Sequence, residues 1–202
     1  LFFPEKREFF LENQGLFAFG GESSGGQFAG ASNTPILFYS RQIGLNDGRE
    51  VAIDAGGRLT GRIGKFSVGV LNIQTADAPS AGARATNFSV MRVKRDLLRR
   101  SSIGALFTSR SVSRLGTGSN EAYGVDALFS FYENLNISMY WARTRSPGLG
   151  TDDVSHRAQF DYAADRYGLQ LERLVVGDDF NPEVGFLRRD AFERSFGSFR
   201  FS

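Results

Sequence analysis

Apolar and polar residues alternate in two arms between Ala122 and Trp141. Tyr123, Val125, Ala127, Phe129 and Phe131 fall on one side of a first arm, and Gly124, Asp126, Leu128 and Ser130 on the other. A second arm sets Leu135, Ile137, Met139 and Trp141 against Asn136, Ser138 and Tyr140. Successive side chains of an extended chain point to opposite sides, so this period of two predicts strands with one apolar face each. Between the arms, Tyr132-Glu133-Asn134 suits a three-residue hairpin loop, with Asn134 in the left-handed conformation. That loop pairs Phe131 with Leu135, Phe129 with Ile137 and Val125 with Trp141, placing both apolar sets on one side of the sheet. A slip of one residue would turn all of them over.

The same ribbon recurs along the chain. Ile36–Ile43 reads as a strand, followed by the turn signal Asn46-Asp47-Gly48. Glu50–Gly61 carries Val51, Ile53, Ala55, Gly57 and Leu59 on one side and Asp54, Arg58 and Thr60 on the other. It returns through Arg62–Lys65 into Phe66–Thr75, with Gly61 expected opposite Phe66 and Leu59 opposite Val68. Thr86–Asp96 follows, its alternation interrupted by Arg92, Lys94 and Arg95, and then Ile103–Val112. Ser155–Tyr162, Tyr167–Val176 and Phe192–Phe201 complete the series beyond the central hairpin.

The connections alternate in length. They are short near Arg62, Leu98, Tyr132 and Ala163, and long from Ala76, Ser113, Ser146 and Gly177. In an up-and-down sheet the short turns then share one end and the long loops the other, as in a transmembrane β-barrel. Strands of about ten residues match a tilted strand crossing the bilayer core. Phe66, Phe131, Tyr162 and Tyr167 flank the short turns as an interfacial girdle would. The expected fold is all-β: an antiparallel up-and-down meander forming part of a transmembrane, outer-membrane-type β-barrel, as an incomplete fragment. Residues 1–35 are a lead-in, linker or plug-like segment, with a Gly- and Ser-rich loop over Glu22–Pro35. Residues 36–202 form a barrel portion of about nine or ten strands. The rival architecture is a soluble all-β domain with its apolar faces packed together as a sandwich.

Composition narrows the chemistry. With 24 Gly and 20 Phe in 202 residues and no Cys, the chain suits sheets with tight turns and has neither disulfides nor thiolate metal sites. A formal charge of +2 with acids and bases interspersed gives no electrostatic case for nucleic acid. No apolar run is long enough for a membrane-spanning helix. The chain starts at Leu1 and stops after a strand, and is expected to be an internal piece of a longer protein.

On the polar face, Asp54, Arg58, Asp126, Arg157, Asp161 and Glu172 are the candidates to face a barrel lumen. The sole histidine, His156, lies near Asp152, Asp153 and Ser155 and is the candidate base for a hydrolase. Adjacent strand residues point to opposite faces, however, which argues against a triad built from these neighbours. Asp178, Asp179 and Glu183 are the candidate Ca²⁺ ligands, at a spacing that is not that of an EF-hand; a turn closed by Asx bonds and Pro182 is the simpler reading. No phosphate loop, zinc spacing or dinucleotide fingerprint is present, and no cofactor is expected. Arg99-Arg100 and Arg188-Arg189 read as turn or rim charges.

Four segments together, FFPEKREFFLENQGLF, LFYSRQIG, GGRLTGRIGKFSVGVLNIQT and DDFNPEVGFLRR, give the chain a family resemblance. It resembles, over nearly its whole length and in the same order, a bacterial outer-membrane-type β-barrel domain of unknown function that follows an N-terminal family 9 carbohydrate-binding module. The resemblance implies a bacterial outer-membrane location, membrane lipid and carbohydrate as partners, and passage or uptake of a glycan-related solute. It carries over no catalytic residue. The alternatives are a barrel-borne or module-linked hydrolase acting on glycans, and a soluble all-β binding or structural domain.

Overall fold

A computed structural model describes residues 5–12, 14–21 and 33–201. Most of the loop expected over Glu22–Pro35, together with Pro4 and Ser202, lies outside the described residues.

The chain enters through one helical turn, α1 (Glu8–Leu11), and two 3-10 turns, Gln14–Phe17 and Ser40–Gln42. A two-stranded ribbon, β1 (Leu45–Asn46) with β2 (Arg49–Glu50), closes at Asp47-Gly48. Both turn residues have positive φ, the geometry that a two-residue hairpin demands and that Asp-Gly supplies. Nine strands follow: β3 (Ile53–Ile63), β4 (Phe66–Thr75), β5 (Thr86–Leu98), β6 (Ser101–Arg110), β7 (Asn120–Phe131), β8 (Leu135–Arg145), β9 (Val154–Ala163), β10 (Tyr167–Val176) and β11 (Phe192–Phe201). Each pairs antiparallel with the next, giving one sheet in chain order from β3 to β11. The sheet does not close on itself, and β3 and β11 are its two edges. Turns at 64–65, 99–100, 132–134 and 164–166 lie at one end, and loops at 76–85, 111–119, 146–153 and 177–191 at the other.

The central hairpin has the register that its alternation predicts: Phe131 opposite Leu135, Phe129 opposite Ile137, Val125 opposite Trp141. Its left-handed residue is Tyr132 (φ 56°) and not Asn134. The β3–β4 hairpin is two residues tighter than expected, with Ile63 opposite Phe66 and Gly61 opposite Val68. Gly64, at φ 58°, makes the two-residue turn possible. The two-residue difference keeps the faces of Ala55 to Gly61 as expected, but the bulge at Asp54 turns Ile53, opposite Thr75, to the side away from Ala55, Gly57 and Leu59.

Ile36–Ile43 does not form a strand. Ile36 makes an isolated bridge to Phe186, the amide of Tyr39 donates to the carbonyl of Val184 (2.9 Å), and Ser40–Gln42 turns. Its apolar residues are buried all round, so they lack the one-sided burial of the sheet strands. A short continuous apolar run leaves strand and buried coil indistinguishable by period.

The two faces of the sheet have different fates. One carries Leu71, Ile73, Phe88, Val90, Leu106, Leu174 and Val176, buried beneath Phe10, Phe17, Phe19, Leu37, Phe38 and Ile43 of the entering segment and Phe180 and Val184 of the 177–191 loop. The opposite face carries Val93, Ile103, Val125, Phe131, Met139, Trp141 and Leu171, all exposed. We call these the covered and the bare face. Among the described residues no helix is long and apolar enough to cross a membrane, which leaves strands unaddressed.

Candidate functional site

The covered face is where the sequence-predicted polar residues gather, and it divides along the strands. Toward the long loops it is sealed. Phe19 packs against Tyr140, the rings tilted by 55° with centroids 5.5 Å apart. A Cβ on Gly124 would come within 2.7 Å of the Phe19 ring, and one on Gly69 within 2.9 Å of Leu16 and Phe17. The entering segment can therefore lie flat on the sheet only because those two strand positions lack side chains. Loop 177–191 completes the seal. The buried Glu183 carboxylate accepts from the Ser113 hydroxyl (2.7 Å) and the Arg114 amide (2.9 Å). The buried Asn120 side chain donates to the Asn181 carbonyl (2.8 Å) and accepts from the Glu183 amide (3.1 Å). A Cβ on Gly185 would collide with the Ile36 carbonyl at 2.0 Å, so glycine permits that backbone crossing.

Toward the short turns the same face is polar. Arg92, 2% exposed, makes a two-pronged bond to Asp126 (2.6 and 2.9 Å), and the Gly20 amide donates to the same carboxylate (3.2 Å). The pair thus joins β5 and β7 and anchors the end of the entering segment; bidentate geometry fixes direction as well as charge. Further along, Glu172 sits between two arginines. Arg157 donates to one oxygen (2.9 Å) and Arg194 to the other (2.8 Å), while Arg157 also reaches Gln159 (2.6 Å). Ser130 donates to Asn136 (2.7 Å) nearby. Arg58 spans to the entering segment, donating to the Glu12 carbonyl (2.8 Å) and pairing with the Glu12 carboxylate.

Of the six candidate lumen residues, Arg58, Asp126, Arg157, Asp161 and Glu172 thus share the covered face, and only Arg157 and Glu172 bond each other. Asp54 falls in the bulge between Ile53 and Ala55 and is exposed. Arg92 and Arg194 are the partners that the sequence reading left out. Arg92 does not interrupt its strand at all: Arg92 and Lys94 continue the covered face, Met91 and Val93 the bare one, and Arg95 alone departs.

His156 projects from the bare face, between Trp141 and Val175 in the register. Ser155 points the other way, bonded to the Tyr140 hydroxyl and the Val175 carbonyl (both 3.0 Å). Asp153 is engaged by Arg143 (2.9 Å), and Asp152 accepts from the Asp178 amide (3.0 Å). The neighbours that could have oriented a catalytic imidazole are thus committed elsewhere. Asp179 accepts from the Asp152 amide (3.1 Å), closing the 146–153 loop against the 177–191 loop. Glu183 is turned into the latch described above. Among the described residues no group of three or more His, Cys, Asp or Glu is placed to hold a metal ion.

The entering segment carries its own fastening. Glu5, buried, accepts from the Arg7 side chain (2.7 Å) and the Ser40 hydroxyl (2.6 Å), and Arg7 donates to the carbonyls of Ile43 (2.8 Å) and Ser40 (2.9 Å). Burial pushes the Glu5 carboxyl up, but these bonds to its ionised form outweigh it and hold the group down at about 2.

Comparisons with protein-family models, with curated proteins and with solved structures return no match.

Proposed function

We propose that these nine strands are wall of an outer-membrane β-barrel, with the bare face against lipid and the covered face toward a lumen. There the entering segment and the 177–191 loop act as an internal plug. The observation that carries this is the outline of the apolar band. Going from the short turns toward the long loops, the first charged or imidazole side chain on the bare face is Glu121 in β7, Arg143 in β8, His156 in β9 and Arg173 in β10. Arg143 stands opposite Tyr123, His156 opposite Trp141 and Arg173 opposite Ala158. From β7 to β10 the boundary therefore shifts by one same-face position per strand, in the same sense each time; in β11 it steps back, to Glu193 opposite Val175. A planar apolar slab crossing tilted, staggered strands produces that outline. A patch buried by a rigid partner has no reason to follow the stagger.

The two edges support the same reading. β3 and β11 run in the same direction, since eight antiparallel steps separate them in the strand order. An antiparallel wall then closes only with an odd number of further strands, giving the even total usual for such barrels. Leu59 (72% exposed), Ile63 (76%) and Phe201 (69%) wait bare at these edges.

The function proposed is controlled passage of a polar solute past the plug, along the Arg92–Asp126 and Arg157–Glu172–Arg194 groups. The family resemblance of the sequence supports a glycan as solute, since stacked arginines, carboxylates and amides suit hydroxyl-rich ligands. The test is refolding of the intact protein into detergent and planar bilayers. Small conductance steps blocked by oligosaccharides are expected, and Gly124→Phe, which displaces Phe19, should enlarge them. A protein that stays folded and monodisperse in water without detergent would sink the membrane reading.

A further inference from the structure

We infer that the long-loop end of the covered face holds a binding site for an acidic sugar, with its carboxylate on arginine and its hydroxyls on Asp47. The inference rests on the reading above for the ligand being the solute that passes, and on a single cavity for its chemistry. That cavity has a volume of about 510 Å³, inside the range of about 300–1,000 Å³ of small-ligand pockets. Thr86 of β5 and Arg110 of β6 line it from the sheet, and the β1–β2 turn and the loops 76–85 and 111–119 line it from above. In the membrane reading this is the outer end, where a solute arrives first.

These walls are tied together by the chain itself. The Asn46 side chain donates to the Ala81 carbonyl (2.9 Å) and Arg49 to the Ser80 carbonyl (2.6 Å), fastening the β1–β2 ribbon to the 76–85 loop. The Arg114 amide is held by Glu183 (2.9 Å) and its guanidinium by Gln42 (2.9 Å). A site fastened in this way has little freedom left to lose on binding.

Arg110 is the residue that points to a ligand. Its side chain is 8% exposed, and its guanidinium lies over the Phe88 ring, 5.5 Å from the centroid. Its Nε donates to the Val112 carbonyl (2.8 Å) and lies 3.8 Å from the Glu183 carboxylate, whose oxygens accept from Ser113 and Arg114. Its Nη1 is buried with no hydrogen-bond partner among the described residues. A buried N–H without an acceptor is costly, and an oxyanion in the cavity that Arg110 lines supplies one. Arg84 and Arg114 line the same cavity, and Arg84 makes no ion pair among the described residues. Three guanidinium groups thus meet one carboxylate on the cavity wall, Asp47, and a second, Glu183, beside Arg110. One positive charge is left over, which a single carboxylate balances and a phosphate near double charge exceeds. Asp47 repels phosphate oxygens but accepts hydroxyl protons, as the Asn46 amide oxygen and the Thr117 hydroxyl can on the same wall.

The test is calorimetric titration of the intact, detergent-folded protein with trigalacturonate, maltotriose and inorganic phosphate. Trigalacturonate should bind at least about tenfold more tightly than maltotriose, the worth of one charge-assisted hydrogen bond. Inorganic phosphate at equal concentration should not displace it. Arg84→Gln/Arg114→Gln, at two exposed loop positions, should reduce that preference. Arg110→Lys keeps the charge and removes the two-pronged donor; it should weaken trigalacturonate about tenfold with heat-modifiable migration unchanged. Asp47→Asn preserves the turn, since Asn-Gly suits it as Asp-Gly does, and should let phosphate compete. Arg99→Gln/Arg100→Gln, at the short-turn end, should change nothing. Equal binding of the two sugars, an undiminished preference in the Arg84/Arg114 variant, unchanged affinity in Arg110→Lys, or displacement by phosphate in the wild type would overturn the site. A protein that inserts and conducts with no preference between the sugars loses the site and keeps the barrel. A protein that folds in water without detergent loses the membrane reading, and the same titration in buffer still decides the cavity.

Discussion

The two faces of the sheet carry comparable apolar residues and treat them in opposite ways. On the covered face, Leu71 in β4 is 2% exposed beneath the entering segment; on the bare face, Val125 in β7 is 55% exposed. The chain can bury apolar strand residues tightly, and it spends Phe10, Phe17, Phe19 and Phe38 doing so on one side only. The bare face is therefore not a core that failed to assemble. Its exposed apolar side chains neighbour one another across β5 to β8, and a patch of that kind marks an interaction surface.

Charge makes the same contrast from the other direction. The covered face tolerates Arg92, buried as it is, because Asp126 matches its charge. Removing one partner breaks that balance, so Asp126→Ala should give the largest loss, about 3–5 kcal/mol, measured by urea unfolding of the detergent-folded protein. A loss no greater than that of a surface substitution would mean that Arg92 finds another partner, and that the entering segment is not anchored through Gly20.

A charge placed on the bare face distinguishes lipid from water. Val125→Arg at mid-band should cost about 2–4 kcal/mol when folding is measured in lipid vesicles. In water the same exposed position would change stability by no more than about 0.5 kcal/mol. Equal stabilities of wild type and variant in vesicles would remove the distinction between the faces.

The smallest expected effect concerns the fastening of the covering segment. The folded-state value of Glu5, about 2, lies below its ordinary 4.5. The stabilisation it supplies is therefore complete above pH 4.5 and disappears as the pH falls from there toward 2. Protection factors at the amides of Gln42 and Ile43, corrected for intrinsic exchange, should fall over that interval, before those of the sheet amides change. Glu5→Gln should exchange faster at neutral pH and lose the acid dependence. If the sheet and the segment loosen together, the covering is part of the wall and not a separable plug.

Much of this contrast was legible along the chain. The alternation in Ala122–Trp141 dictates strands, and the loop at 132–134 then dictates register, because side chains repeat every two residues and a hairpin leaves one pairing that keeps the apolar set together. The left-handed residue of that loop is Tyr132 and not Asn134, since several positions of a three-residue turn can absorb the reversal. Ile36–Ile43 misled for a similar reason: an unbroken apolar run records burial and not the geometry that achieves it. Arg92 reads as an interruption because a long charged side chain is foreign to a strand until a carboxylate from another strand meets it.

Sequence alone therefore determined the nine strands of the sheet, their order, the pairing of neighbours and, outside the bulge at Asp54, the two faces. These are local properties, set by a period of two and by short turns. Only the tertiary structure decided which face the chain itself would cover. The contacts that do so, Phe19 with Tyr140, Gly20 with Asp126 and Ile36 with Phe186, join residues far apart in the chain. No periodicity encodes such contacts, because they depend on how the sheet brings distant strands beneath a single segment.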